Sequence, residues 1–264
     1  MPDQKPARPP TRPPASPPAD PPAPPARRYV SQVRDDQARR TRRAVVTAAR
    51  ELFLTQGYAP TTIDAIAAAA QVSRRTVFNA AGSKVALLKL ALDWAIVGDD
   101  EPVELEQRPG VRAIQAERDP RRALELWAEM VVEIAGRVAP IGRVLYAAAD
   151  SDPEAAQLLA DEGRGRMYGA TAFVSHLASL DGLAAGVSEP RAAELCWALM
   201  DGHLYHLLVT EQSWTSAAFA RWMADSLRAT LLKPACRSRA DPAGFAKVAS
   251  RCAISARPGV RSGP

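Results

Sequence analysis

Arg74, Arg75 and Thr76 follow Ser73 in an unbroken run, with Phe78 and Asn79 just beyond and Lys84 after the next break. A guanidinium can fork onto guanine O6 and N7, and a threonine can reach a base edge or a thymine methyl. Arginine and lysine also neutralise phosphates. Thr62, and Ser83 ahead of Lys84, stand at expected helix starts, where backbone N–H groups without helical partners hold anions. Upstream, Arg39, Arg40, Arg42 and Arg43 form a basic cluster that could touch flanking phosphates or simply be solvated. This chemistry would suit recognition of double-stranded DNA, although Arg74 and Arg75 could simply be solvated surface residues. Its candidate residues are Arg42, Thr62, Ser73, Arg74, Arg75, Thr76, Phe78, Asn79 and Lys84.

Such side chains need a rigid carrier, and the surrounding pattern supplies one. Residues 37–56 place Val45, Ala48, Ala49, Leu52 and Phe53 on the stripe of an amphipathic helix, ended by Gly57. Thr62 caps a short helix over 62–70 with Ile63, Ile66 and Ala67 inward, residues 71–73 turn, and Ser73 caps a second helix over 73–79. This is helix-turn-helix spacing. Small Ala67 and Ala68 suit a close crossing, Val72 anchors the turn, and Val77 faces inward. Another helix is expected over 83–97.

Residues 98–119 read as a linker containing at most one helical turn. Longer helices are expected over 120–137, 140–149, 153–180, 189–211 and 215–232. Asp119-Pro120, Asp152-Pro153 and Glu189-Pro190 each place an acid before a proline suited to a helix's first turn. β alternation is missing, so the expected fold class is all-α.

Both ends differ from this body. Twelve prolines fall in residues 1–25, with Pro-Pro pairs that favour extended polyproline. The expected division is a disordered Pro-rich arm (1–34), a helix-turn-helix domain (35–97), the linker (98–119), a ligand-binding and dimerisation domain (120–233) and a disordered basic tail (234–264). Charge is uneven: net +8 over residues 1–98, −8 over 99–233 and +5 over 234–264. A basic first third on an acidic body fits an anion-facing module joined to one of another kind.

Other classes find less support. No apolar run reaches the length of a membrane span, and the N-terminus has no secretory h-region, so a cytoplasmic protein, nucleoid-associated when bound to DNA, is expected. Cys196, Cys236 and Cys252 are odd in number and widely spaced, which argues against a disulfide framework. His203 and His206 are three apart and share a helix face, but no partner at metal-ligand spacing accompanies them. No phosphate loop or nucleophile elbow is present, so neither enzyme activity nor a metal or cofactor is expected. Trp127, Met130, Tyr146, Met167, Tyr168, Phe173, His203 and His206 could line a small-molecule pocket in a helical domain, or serve as ordinary core.

The segment 42–97 resembles the DNA-binding domain of the TetR family of transcriptional regulators. The likeness is carried by Arg43, Ala48-Ala49, Leu52-Phe53, Gly57-Tyr58, Thr61-Thr62-Ile63, Ile66-Ala67, Ala70-Gln71-Val72-Ser73, Thr76-Val77-Phe78, Ser83-Lys84 and Leu87-Leu88. The remainder, to Asp225, is similar to an actinobacterial-type subgroup. The resemblance implies a homodimer joined through about 189–232, an unknown small-molecule effector, and a relay through the helix at 83–97. It further implies a repressor, or alternatively a ligand- or protein-binding relative with weakened DNA binding. Such a relative is raised by one departure. An aromatic pair usually precedes Ser-Lys, where this chain has Ala80 and Ala81, and Phe78 replaces a common tyrosine. An unfilled space at Ala81 would cost a few kcal/mol (~2–5).

Overall fold

The computed structural model describes residues 26–234. Among them the regular structure is helical: α1 (Ala26–Gln56), α2 (Ile63–Ala69), α3 (Arg74–Ala81), α4 (Lys84–Val97), α5 (Pro109–Ala116), α6 (Pro120–Ala149), α7 (Pro153–Ser179), α8 (Glu189–Leu199), α9 (Gly202–Tyr205) and α10 (Ser216–Leu231). An isolated antiparallel bridge between Leu183 and Leu232 pins the end of α10.

The caps follow from residue type. Thr62, Ser73 and Ser83 each accept the backbone N–H three residues on, at 3.1 Å. Each thereby satisfies one of the donors left free at a helix start. Asp119 and Asp152 cap α6 and α7 ahead of Pro120 and Pro153. At α8 the cap position is Ser188, so Glu189 lies inside the first turn.

Four expectations change. Helix α1 starts at Ala26, directly after Pro25 and eleven residues before the expected start. The prolines of residues 1–25 and the tail from 235 lie outside the described residues. The stretch 98–119 holds a 3₁₀ turn (Leu105–Gln107) and all of α5, whose Ile114 is buried. Helix α6 runs unbroken through Pro140, which lies on its exposed face. The helix expected over 189–211 is interrupted: α8 ends at Leu199, Asp201 caps α9, and a π-helical turn spans His206–Glu211. Asp201 is held by three donors at the break, the Tyr146 hydroxyl (2.6 Å), the Arg166 guanidinium (2.7 Å) and the His203 backbone N–H (2.9 Å).

The buried side chains form two clusters. One joins Val45, Phe53, Ile66, Val77, Leu87 and Leu88 with Ile141, Leu145 and Leu158. The other joins Leu124, Trp127, Phe173, Cys196, Phe219 and Leu227. The second half of α6 and the start of α7 therefore complete the core of the helix-turn-helix unit.

Candidate nucleic-acid interface

The turn between α2 and α3 places Gln71 at φ +56°, and Ile66, Ala67 and Val77 seal the crossing from solvent. With Val77 fixed inward, α3 turns Arg74, Arg75, Phe78 and Asn79 outward. Phe78 is 44% exposed, a large apolar surface among cations and amides.

The expected DNA-contacting residues divide by what they already touch. Arg75 and Asn79 are exposed and make no hydrogen bond or ion pair among the described residues. Arg74 lies against the Asp64 carboxylate at 3.0 and 3.2 Å, with its guanidinium carbon 5.7 Å from the centre of the Phe78 ring. Ser73 and Thr62 spend their hydroxyls on helix caps, and the Ser73 and Thr76 hydroxyls are 2.8 Å apart. Arg42 donates from Nε to the Ala80 carbonyl at 2.9 Å, near the C-terminal end of α3. Lys84 turns toward the protein. Its ammonium donates to the Tyr58 carbonyl at 3.1 Å and lies 4.0 Å above the centre of the Tyr58 ring. Of the upstream cluster, Arg43 pairs with Asp100 at 3.3 Å and Arg39 approaches the same carboxylate at 4.0 Å.

Ala81 is partly buried against the N-terminal cluster, while Ala80 lines an open groove of about 590 Å³ between α1, α3 and α4.

Two contacts tie this unit to the rest and have no local sequence signal. The Tyr58 hydroxyl donates to Asp152 Oδ2 at 2.8 Å across 94 positions. Its pKa is raised by burial and then by the Asp152 bond, while the same bond lowers that of Asp152. Arg137 on α6 donates to the carbonyls of Ala95 (2.8 Å) and Ile96 (3.0 Å), closing the C-terminal end of α4.

Of the eight expected pocket residues, Trp127, Met130, Met167 and Phe173 belong to or pack against one core. Trp127 and Phe173 are buried and stacked, with ring centres 4.7 Å apart. Met130 and Met167 are partly buried against that core. Tyr168 is 67% exposed, and Tyr146 bonds Asp201. His203 is exposed, whereas His206 meets Arg143 NH1 (2.7 Å) and Glu211 (3.1 Å) through Nε2. The two histidines thus part company, because the helix changes pitch between them. Among the described residues no group of three or more His, Cys, Asp or Glu is placed to hold a metal. Cys196 is buried, which pushes its thiol up to about 12. Cys236 and Cys252 lie outside the described residues.

A helix-turn-helix unit with an exposed second helix, fused to a larger helical body, is an architecture found among helical DNA-binding proteins. Residues 45–91 match the sequence model for bacterial regulatory proteins of the tetR family. The match covers 47 of the 264 residues, and the chain shares its fold with tetR-family regulators of known structure.

Similar solved structures include native NalD, the secondary repressor of the MexAB-OprM multidrug efflux pump in Pseudomonas aeruginosa. It is 22% identical with a TM-score of 0.56, over 74% of this chain and 97% of that one. The SmeT–triclosan complex is 18% identical with a TM-score of 0.54, over 74% and 93%. A choline complex of a protein from Saccharomonospora viridis, described as a transcriptional regulator, is 16% identical with a TM-score of 0.54, over 73% and 98%. No curated protein matches the chain. These matches give no support to an actinobacterial-type subgroup.

Proposed function

We propose that this chain is a sequence-specific DNA-binding repressor, released from a roughly palindromic operator by a small apolar or amphipathic molecule. One observation carries the reading. Helix α3 buries Val77 and turns Arg75 outward without a protein partner, beside Asn79 and a partly exposed Phe78. Such an unpaired guanidinium on the second helix is equipped to read guanine. Arg42, Thr62, Ser73, Thr76 and Lys84 then act as supports of α3 and its surroundings, with Arg74 held between Asp64 and DNA.

A homodimer through about 189–232 would set two copies of α3 about 34–36 Å apart, one turn of DNA. The triclosan and choline complexes of similar folds support an effector site in the body after α5, in a protein working in the cytoplasm and at the nucleoid. An effector acts by binding one spacing of the two units better than the other. We divide the chain functionally into the helix-turn-helix domain (35–97), connecting residues (98–119) and effector and dimer domain (120–233), flanked by the two tails.

The deciding experiment is a fluorescence-anisotropy titration at physiological salt. It compares the intergenic DNA beside the protein's own gene with a scrambled duplex. A preference of about a hundredfold or more is expected. Equal, weak binding to both duplexes would overturn the reading and favour the relative with weakened DNA binding. Ala80 and the inward-turned Lys84 already lend that alternative some support.

A further inference from the structure

The groove beside α3 plays no part in the proposed reading. Its α1 wall runs from Asp35 to Arg42, its α3 wall is Thr76, Asn79 and Ala80, and Leu90 and Trp94 of α4 line it together with Pro102. The apolar surfaces come from Ala38, Ala80, Leu90, Trp94 and Pro102. Arg42, whose Nε already bonds the Ala80 carbonyl, and Asn79 bring further hydrogen-bond donors to the lining. A groove lined by a tryptophan and by hydrogen-bond donors suits a polyproline segment, whose ring faces pack on tryptophan and whose backbone carbonyls have no internal partners.

We propose that this groove takes the chain's own Pro-rich segment, residues 1–25. The argument is one of connection and reach. The segment joins α1 at Ala26, the same helix that forms one wall. At about 1.5 Å per residue, Ala38 lies roughly 18 Å along that helix from Ala26. Extended polyproline at about 3.1 Å per residue gives the 25 residues a reach of roughly 78 Å. The segment can double back with length to spare, and its attachment supplies an effective concentration in the millimolar range. Position 80 lines the seat and carries only a methyl group, so it is the place to add bulk. An occupied groove would bring Thr76 and Asn79 under cover, so it bears on DNA binding without depending on it.

The test is photo-crosslinking of the full chain without DNA, so its outcome is separate from that of the DNA titration. The groove residue Ala38 is exchanged for p-benzoylphenylalanine (Ala38→p-benzoylphenylalanine), and adducts are mapped by mass spectrometry. The control probe replaces Glu51, exposed on the same helix, outside the groove and within reach of the segment. Intrachain adducts to residues 1–25 are expected from position 38, about tenfold above those from position 51. They should fall to the control yield in Ala80→Trp, and also when the five Pro-Pro pairs of residues 9–25 are replaced by Gly-Ser. The second change leaves the folded body untouched. Equal yields from the two probes would overturn the proposal, as would adducts to another segment, adducts joining two copies, or a yield unchanged by the Gly-Ser replacement.

Discussion

At the scale of single residues, neighbouring arginines of one type have different work to do. Arg75 has nothing to lose by contacting DNA, whereas Arg74 must leave or share Asp64. Arg75→Ala is expected to weaken operator binding by about 1–3 kcal/mol and to relax preference at one base pair, read by anisotropy against single-base variants. Arg74→Ala should cost less, because its guanidinium is already paired at a mostly exposed site. The turn makes a separate demand. Gln71 has positive φ, which a β-branched residue resists. Gln71→Val should lower stability by about 1–2 kcal/mol, measured by urea denaturation.

At the scale of elements, the contacts that matter join helices far apart in sequence. Arg137 ends α4 from outside, supplying donors to carbonyls that the helix leaves unpaired. Arg137→Met keeps the aliphatic stem and removes those donors. It should cost about 1–3 kcal/mol and speed amide exchange around Ala95–Val97. Tyr58→Phe removes the hydroxyl that fastens α1's end to α7 but leaves the Asp152 cap in place. A loss of about 1 kcal/mol is expected in thermal or urea unfolding.

The loop after α4 adds a pH-sensitive fastening. The Arg108 guanidinium, at 2.5 Å, holds the Asp99 carboxyl down to about 2, helped by the Glu101 backbone N–H. A carboxylate depressed on folding stabilises the protein at pH values above its unfolded pKa. That stability is lost as pH falls from about 4 toward 2. Asp99→Asn should flatten this part of the acid-unfolding curve and leave the neutral-to-alkaline part alone.

At the scale of the whole molecule, α6 links the two cores. Its first half carries Leu124 and Trp127 into one, and its second half carries Ile141 and Leu145 into the other. A shift of the larger helical body would therefore reach the core of the helix-turn-helix unit through α6. Helix α4 need not carry it alone. The arrangement predicts one cooperative transition, with tryptophan fluorescence and far-ultraviolet dichroism coinciding during urea unfolding. Two separated transitions would mean that the units fold independently despite the shared helix.

Much of the DNA-facing unit was legible in the sequence because its logic is local. Caps at Thr62, Ser73 and Ser83, the stripe through Val45 and Phe53, and the inward Val77 all follow from neighbours within a few positions. The all-helical class follows from the same short-range periodicity. Local pattern alone could not distinguish the arginine that is paired from the one that is not, since Asp64 meets Arg74 only after the turn has formed. Nor could it foresee Lys84 turning toward Tyr58 or the break at Asp201. Each of these depends on partners brought together from distant segments: Tyr58 for Lys84, and Tyr146 and Arg166 for Asp201. The sequence by itself determined which helices form and which face of α3 carries cations, because backbone capping and side-chain periodicity act over a few residues. Only the tertiary structure decided which charges remain free and how α6 couples the two cores, because pairing and burial depend on which surfaces meet.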